Sequence, residues 1–178
     1  MGVRSGKGDR GYTELSFHRR VRKDSAEIQA MGDLDELSSH LGLLKSKTRS
    51  KSEKAVLEAI QRALSAIVTE ITVGDEKMGP LLRMEDAEWI SGMVYQLEKE
   101  VDLKSCFHFP GGGELSSLYD IARSVARRAE RSVVALFKKE KMKNDDILAY
   151  LNCVSDVLFI LARKETRRKK GKRKSRLK

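Results

Sequence analysis

The sequence predicts an all-α protein built as a single five-helix bundle. Apolar residues recur at alternating spacings of three and four in five separate segments, which is the pattern of helices packed in a bundle. The chain holds only two prolines, Pro80 and Pro110, and each lies next to a glycine. The long segments between them are therefore free of this helix breaker. With 178 residues, the chain is long enough for one domain with a full core.

The first two helices have clear start signals. Asp24 or Ser25 can cap the first helix, because short polar side chains accept hydrogen bonds from the free N–H groups of a first turn. Its apolar positions are Ala30, Leu34, Leu37, Leu41 and Leu44. The second helix is predicted to open at Ser52 and Glu53 and to end at Gly74. Its apolar positions are Leu57, Ile60, Leu64, Ile67 and Ile71.

The remaining three helices follow in the same way. Glu85 and Asp86 suit the N-terminus of the third, the segment 110–113 precedes a fourth that starts near Glu114, and Asn144 can cap the fifth. The apolar positions of the third are Ile90, Val94, Leu97 and Val101. Those of the fourth are Leu118, Ala122, Val125, Ala129, Val133 and Leu136. Those of the fifth are Ile147, Leu151, Val154, Leu158 and Leu161.

The bundle is predicted to occupy residues 24–166, with a separate segment at 1–23 and a disordered basic tail at 167–178. The formal net charge of +10 belongs to the end of the chain. Residues 163–178 hold eleven Lys/Arg and one Glu, whereas residues 1–162 carry 25 basic and 25 acidic residues. A neutral body argues against nucleic acid as a partner, and a charge run of this kind is usually a solvated end.

The sequence indicates neither a membrane-spanning helix nor a secretory signal. No window approaches the ~18 consecutive apolar residues of a membrane-spanning helix, and the first residues lack the apolar run of a secretory signal. Cys106 and Cys153 lie far apart and in no metal-ligand spacing, so a reduced pair is expected. We therefore expect a cytoplasmic protein without membrane contact.

The predicted fourth helix carries a dense group of charges: Arg123, Arg127, Arg128, Glu130 and Arg131. Arginines recur there every four residues and so form one stripe. Within the helix, Asp120 can reach Arg123 and Glu130 can reach Arg127 at a spacing of three. Three interpretations remain open: a solvated face, pairing with acids on neighbouring helices, or an anionic ligand.

Asn152 and Asp156 interrupt the apolar stretch 147–162 and lie four residues apart, so they share one face of a helix. A carboxylate buried there would need a partner. The first helix offers three more acids, Asp33, Asp35 and Glu36. Because arginine presents a rigid fork that suits carboxylates and phosphates, we expect Asp156 and Asp35 to orient the arginines of the fourth helix. The alternative is that Asp156 bonds only backbone or water.

Two loops carry weaker signals. Residues 5–13, SGKGDRGYT, are rich in glycine, and backbone N–H groups of such loops can bind phosphate, here aided by Lys7 and the Thr13 hydroxyl. The alternative is a flexible terminus. Residues 106–113, CFHFPGGG, place aromatic side chains before a Pro-Gly turn. These aromatics would either close the end of the bundle or lie against a large flat ligand.

Metal and nucleophile chemistry find little support in the sequence. The three histidines, His18, His40 and His108, form no Glu-x-x-His pair, so we expect no di-iron site of the ferritin-like kind. No Ser/His/Asp or Cys/His set indicates a nucleophile supplied by the protein.

Four blocks of sequence run from the N-terminal loop to Arg163: GDRGYT, AMGDLDELSSHLG, FHFPGG with ARSVARRAERSV, and YLNCVSDVLFILAR. They resemble the motifs T-x-T-G-D-x-G-x-T, A-x-G-x-x-D-E-L-x-x-x-x-G, F-x-x-P-G-G with A-R-x-x-x-R-R-A-E-R, and Y-L-N-x-x-S-D-x-L-F-x-x-A-R. These are the motifs of the PduO-type ATP:cob(I)alamin adenosyltransferases, also called corrinoid adenosyltransferases. One position departs from the pattern, since Lys7 replaces the second threonine of the T-x-T run.

The resemblance implies a ferritin-like, cobalamin adenosyltransferase-like bundle that forms homotrimers with active sites between subunits. It implies an enzyme that transfers the 5′-deoxyadenosyl group of ATP to cob(I)alamin and yields adenosylcobalamin and triphosphate. It further implies Mg²⁺ bound through the triphosphate of ATP, with Glu130 as the candidate protein ligand, and a reductase as a further partner.

The resemblance also implies roles for individual residues. The ATP site would comprise Ser5, Lys7, Gly8, Asp9, Gly11, Thr13, Arg127, Arg128, Glu130 and Asn152. The cobalamin site would comprise Phe107, Asp35 and Arg123, with Asp35 paired to Arg123 and Phe107 beside the lower face of cobalt. Catalysis would depend on Arg127, Asp35 and Arg123, and Asp156 would serve structural pairing.

Two other interpretations compete with an enzyme. A non-catalytic relative could bind corrinoid or nucleotide as a carrier or sensor, and the altered loop at Lys7 motivates this alternative. A helical nucleic-acid-binding protein could act through the basic tail, but the neutral charge of residues 1–162 argues against it.

Overall fold

The computed structural model describes residues 8–73, 79–101, 103, 108–138 and 142–175, with the side chain of Phe17 and those beyond Lys169 excluded. Within these residues the chain forms five α-helices and one small antiparallel sheet. The helices are α1 Ala26–Lys47, α2 Lys51–Val73, α3 Met84–Glu100, α4 Glu114–Phe137 and α5 Asp145–Ser175. The strands are β1 Tyr12–Glu14 and β2 Arg20–Arg22. The predicted five-helix fold is confirmed.

Local side chains account for the helix starts. Ser25 caps α1, because its hydroxyl accepts a hydrogen bond from the backbone N–H of Ile28 at 3.4 Å. Helix α5 begins directly after Asn144, as expected. The side chain of Asn144, however, turns away from α5 and donates to the carbonyl of Leu82 at 2.9 Å and to Glu70 at 3.1 Å. It therefore ties the start of α5 to the segment before α3.

The apolar stripes predicted from the sequence form one core. Helix α1 packs on α2 and α4, and α5 packs on α4 and α3, so the helices lie in the spatial order α2, α1, α4, α5, α3. Fully buried leucine and isoleucine side chains line these contacts, among them Leu34, Leu41, Ile60 and Leu158. Helices α1, α4 and α5 form the centre, and they also carry most of the charged residues singled out above.

The N-terminal sheet was not predicted. Thr13 pairs with Val21 across β1 and β2, and strands of three residues are too short to show a convincing alternation of apolar and polar positions. The hairpin contacts the bundle through Arg19, whose guanidinium donates to the carbonyl of Ile71 at 3.0 Å. This bond satisfies a free carbonyl at the C-terminal end of α2.

Helix α5 is longer than predicted. It continues to Ser175 and so includes residues 167–175, which the sequence assigned to a disordered tail. Lysine and arginine are good helix formers, and no proline interrupts the run. Across the part of the chain that is described, none of the helices has the length and apolar character needed to cross a membrane.

Candidate active site

Adjacent arginines of α4 point to different neighbours. Consecutive helical residues are separated by roughly 100° around the helix axis, so Arg127 and Arg128 project in different directions. Arg128 faces α1, where its Nε donates to Asp33 at 3.1 Å and its Nη2 to Glu36. Arg127 lies on the α5 side, where its charge partly offsets the rise that desolvation causes in the pKa of Asp156. Helix α4 therefore has one arginine face toward α1 and another beside α5.

On the side of α4 that faces α1, the charged groups are paired and hydrogen-bonded. Asp33 is buried, at 4% exposure, and also accepts hydrogen bonds from Ser132 and, at 3.2 Å, from Gln29. Burial by itself raises the pKa of Asp33, but the hydrogen bonds from Ser132, Gln29 and Arg128 outweigh it and hold the pKa below its usual value. Arg128 thus uses its fork to join two carboxylates of α1.

The expectation that Asp35 orients an arginine is wrong within the chain. Asp33 and Glu36 do so, because a two-residue step turns a helix by roughly 200° and carries Asp35 away from α4. Asp35 is exposed and lines an open groove of about 530 Å³ between α1 and α2, together with Met31, Leu64 and Val68. The pair of Asp35 with Arg123 is likewise not formed inside one chain.

The expectation that Asn152 and Asp156 are buried is also wrong. Between residues 147 and 163, helix α5 buries most of its side chains, and these two residues belong to the narrow strip that stays exposed there. Desolvation raises the pKa of Asp156, Arg127 opposes that rise, and Glu98 adds to it. The two charges lie farther apart than the 4.0 Å of an ion pair, so Asp156 is a neighbour of Arg127 rather than its structural partner.

Five residues make up an open face between α4 and α5: Arg123, Arg127 and Glu130 of α4 with Asn152 and Asp156 of α5. The three α4 residues follow a spacing of four and three and so form one stripe. Arg123 is half-buried, and its Nε atom is buried without a hydrogen-bond partner in the described part of the chain. Arg123 and Arg127 form no ion pair within 4.0 Å among the described residues, so their guanidinium groups are available to an anionic ligand.

The N-terminal loop lies apart from this face. Residues 8–10 form a turn before β1, and Gly11 adopts the left-handed region at φ +78°. The carbonyl of Gly11 accepts from the N–H of Lys23 at 2.9 Å, which fixes the loop to the hairpin. Thr13 is half-buried within β1 and Asp9 is exposed. Among the described residues, no hydrogen bond or ion pair joins this loop to α4 or α5. Ser5 and Lys7 lie outside the described residues.

The aromatic loop is held by a pair that the sequence did not reveal. Asp120, expected near Arg123, instead binds Arg163, with Arg163 Nη2 at 2.5 and 2.6 Å from its two carboxylate oxygens. Both side chains are buried. The two residues lie 43 positions apart in the sequence, so helical spacing could not predict that they pair. The one signal in the sequence was that Asp120 and Arg163 are charged residues next to apolar ones. Phe107 itself lies outside the described residues.

Comparisons with known proteins agree with the resemblance. The sequence model of the family described as cobalamin adenosyltransferase matches residues 3–165. The corrinoid adenosyltransferase PduO of Salmonella typhimurium is 33% identical over 93% of this chain and 50% of its own length. The chain therefore spans about half of that relative. The corrinoid adenosyltransferase of Bacillus subtilis is 34% identical over 88% of this chain and 82% of its own length.

Solved structures show the same fold. A variant PduO-type ATP:corrinoid adenosyltransferase from Lactobacillus reuteri, complexed with cobalamin and ATP, has a TM-score of 0.85 at 28% identity, over 93% of this chain and 91% of that one. A second variant of that enzyme, complexed with ATP, has a TM-score of 0.84 at 28% identity, over 92% of this chain and 94% of that one. With a family match over most of its length and relatives above 30% identity, the chain belongs to the cobalamin adenosyltransferase family, in its PduO type.

Proposed function

We propose that the chain is an ATP:cob(I)alamin adenosyltransferase. In this reaction the electron pair of Co(I) attacks C5′ of ATP, a Co–C bond forms, the C5′–O bond breaks, and triphosphate leaves with the bonding electrons. The observation that carries the proposal is the open face of α4 and α5, where Arg123 and Arg127 have no acid partner within 4.0 Å in the described residues, in a chain whose structural neighbours hold ATP and cobalamin.

The protein's part is to orient the substrates and to stabilise charge. Because the nucleophile is the corrinoid itself, the enzyme needs no nucleophilic side chain. It must aim C5′ at cobalt and stabilise the growing negative charge on the leaving triphosphate. We assign the second task to Arg127, aided by Asn152 as a neutral hydrogen-bond donor on the same face. Arg128 pairs with Asp33 and Glu36 of α1. It would add the ATP contact that the resemblance implies.

The site is proposed to lie between subunits of a homotrimer. Residues that the family resemblance assigns to one site occupy separate faces of one chain: Asp35 lies in the groove of α1 and α2, Arg123 lies on α4, and Gly8 to Thr13 lie by the hairpin. A second subunit that brings its Asp35 to Arg123 would complete the pair and satisfy the buried Nε. Light scattering should then give three times the chain mass of 20.1 kDa.

Mg²⁺ fits the open face as a companion of ATP. Among the described residues no group of three or more acids, histidines or cysteines could hold a metal ion alone. Mg²⁺ typically uses one or two carboxylates together with substrate phosphates, and the half-buried Glu130 lies one turn from Arg127. Glu130 would hold the ion, which supplies charge neutralisation on the triphosphate when bound. A reductase partner and a cytoplasmic location remain predictions from the sequence.

A direct assay separates the enzyme from its alternative. The purified chain is mixed with ATP, Mg²⁺ and cob(I)alamin, and adenosylcobalamin and triphosphate are quantified. Equal amounts of both products support the proposal. Binding of ATP and cobalamin without product would overturn it and favour a carrier or sensor.

A further inference from the structure

A buried ion pair lies where the aromatic loop meets α4 and α5. Asp120 and Arg163 are each 6% exposed. Arg163 Nη2 binds both carboxylate oxygens of Asp120, and Arg163 Nη1 donates to the carbonyl of Phe109 at 3.0 Å. One guanidinium therefore joins a side chain of α4 to the backbone of the loop. We call Asp120, Arg163 and the backbone of 109–113 the loop clamp.

Both backbone groups of Gly111, within the loop clamp, are hydrogen-bonded to side chains. The N–H of Gly111 donates to Asp120 at 2.8 Å. The carbonyl of Gly111 accepts from Ser116 at 2.9 Å and from Thr166 at 3.2 Å. Gly111 is thus fixed by side chains from two helices, α4 and α5.

The next residue is fixed by close approach. Gly112 has φ +100°, and a Cβ atom at that position would lie 2.7 Å from Cγ2 and 2.9 Å from Oγ1 of Thr166. Real Cβ atoms do not approach other atoms so closely, so glycine lets the turn lie directly on α5. The backbone from Phe109 to Gly112 therefore has little freedom to shift.

A buried ion pair is weak evidence for stability alone, because well-packed apolar side chains often serve as well. Here the remaining hydrogen bonds of the pair join it to the loop backbone, at the carbonyl of Phe109 and the N–H of Gly111. The pair therefore fixes the backbone at Phe109 and Gly111, shortly after Phe107 in the sequence. Phe107 is the residue that the family resemblance assigns to the lower face of cobalt.

We propose that Asp120 and Arg163 are positioning residues for the aromatic loop, and that they act on the reduction of bound Co(II) rather than on ATP. The inference rests on the proposed function. An aromatic wall in register excludes a lower ligand from Co(II), which eases the uptake of one electron from an external reductant such as a reduced flavin. Alkylation of Co(I) that is already reduced depends less on this wall.

Gly112→Ala tests the clamp without removing a charge, and Gly92→Ala is its matched control. Gly92 lies exposed on α3, and an added Cβ there meets nothing within 4 Å. We expect Gly112→Ala to slow adenosylation from Co(II) with reduced flavin by about tenfold or more, since a displacement near 1 Å can cost ~10²-fold. Its rate from pre-reduced Co(I) and its KM for ATP should stay near those of the parent. The four-coordinate Co(II) signal in electron paramagnetic resonance should fall in parallel.

Two further variants keep the test decisive. Thr166→Ala removes Cγ2 and Oγ1, so in the Gly112→Ala background it should recover part of the Co(II)-dependent rate. Arg163→Lys keeps the charge but loses the fork, and it should reproduce the selective loss. If Arg163→Lys does not fold, the Gly112 and Thr166 variants still decide the matter, because both leave the ion pair in place.

The outcomes separate this inference from the proposed function. A parent that forms no adenosylcobalamin from pre-reduced Co(I) overturns the function, and the inference with it. An active parent whose Gly112→Ala variant slows the Co(I) and Co(II) reactions equally, or neither, leaves the function standing and overturns the positioning role. Gly92→Ala should match the parent in both reactions; an equal loss in that control would assign the effect to the added methyl group in general and reject the clamp.

Discussion

The open face and the loop clamp use the same residue type in opposite ways. In the clamp, Arg163 is 6% exposed and binds a buried carboxylate and a backbone carbonyl. On the open face, Arg127 faces solvent and forms no ion pair within 4.0 Å among the described residues, with Asp156 as a more distant neighbour. Arg163, buried and bound within the chain, serves the fold, whereas Arg127, which forms no ion pair in the described residues, can serve a ligand. The comparison teaches that partners on other helices, rather than arginine density, separate the two roles.

The largest expected effect lies in the clamp. Asp120→Asn leaves Arg163 buried beside a neutral amide, and breaking one partner of a buried pair typically costs about 3–5 kcal/mol of unfolding free energy. Urea denaturation of parent and variant measures the loss. Glu114→Gln is the control, since Glu114 pairs with Lys47 on the exposed surface, where pairs contribute little. Equal stability of parent and Asp120→Asn would show that the clamp is not a buried pair.

A smaller effect is expected at Asp33, where the arginine is half exposed. Asp33→Asn weakens the hydrogen bonds from Arg128 and Ser132, and hydrogen bonds to charged groups contribute about 1.5–3 kcal/mol. We expect the low end of that range, because Arg128 is 44% exposed and screened by solvent.

The same residue predicts a pH dependence. The pKa of Asp33 is lower in the folded chain than its ordinary value of 3.8. Its stabilising contribution is therefore complete above that value and is lost as the pH falls through the lower, folded pKa. Unfolding free energies measured from pH 6 down to the acid limit should decline less steeply in Asp33→Asn than in the parent. Parallel declines would show that Asp33 does not titrate as described.

At Asp156 we expect almost no change in stability. The carboxylate is exposed and forms no ion pair within 4.0 Å, so Asp156→Ala should shift the unfolding free energy by less than about 0.5 kcal/mol, as for surface substitutions in general. Thermal unfolding of parent and variant decides this. A loss of several kcal/mol of unfolding free energy would show that Asp156 is a structural partner, as the sequence predicted. The open face would then resemble the loop clamp in its effect on stability.

Removal of the end of the chain should have the smallest effect. Deletion of residues 170–178 spares Thr166 and Lys169, which pack against Gly112 and Gly113. Because residues 1–162 are neutral without the tail, we expect turnover within about threefold of the parent, as electrostatic attraction of an anionic substrate alters mainly its encounter rate. A larger loss, with assembly intact, would make the tail part of the site.

Helix caps and apolar spacings in the sequence predicted the fold, but they did not predict which side chains meet between helices. Ser25 is recognisable as a cap from the sequence because a cap depends on the next three residues. The choice between Asp33 and Asp35 depends on how α1 is rotated against α4, which one sequence does not specify. Asp120 and Arg163 meet across 43 residues of chain. Asn152 and Asp156 looked buried because their neighbours are apolar, yet a mostly buried helix still keeps a narrow exposed strip.

The most direct test of the account is the rate of Co(I) alkylation by Arg127→Ala at saturating ATP. Losing one donor that stabilises a developing charge typically costs ~10²–10³ in rate. The melting temperature should stay at that of the parent, because Arg127 forms no ion pair within 4.0 Å in the part of the chain that is described. Arg62→Ala is the matched control, since Arg62 is an exposed helical arginine of α2 that pairs with Glu58 on the same helix. A loss of that size in Arg127→Ala alone is the predicted result. A rate within about twofold of the parent would contradict the claim that the open face acts on the triphosphate.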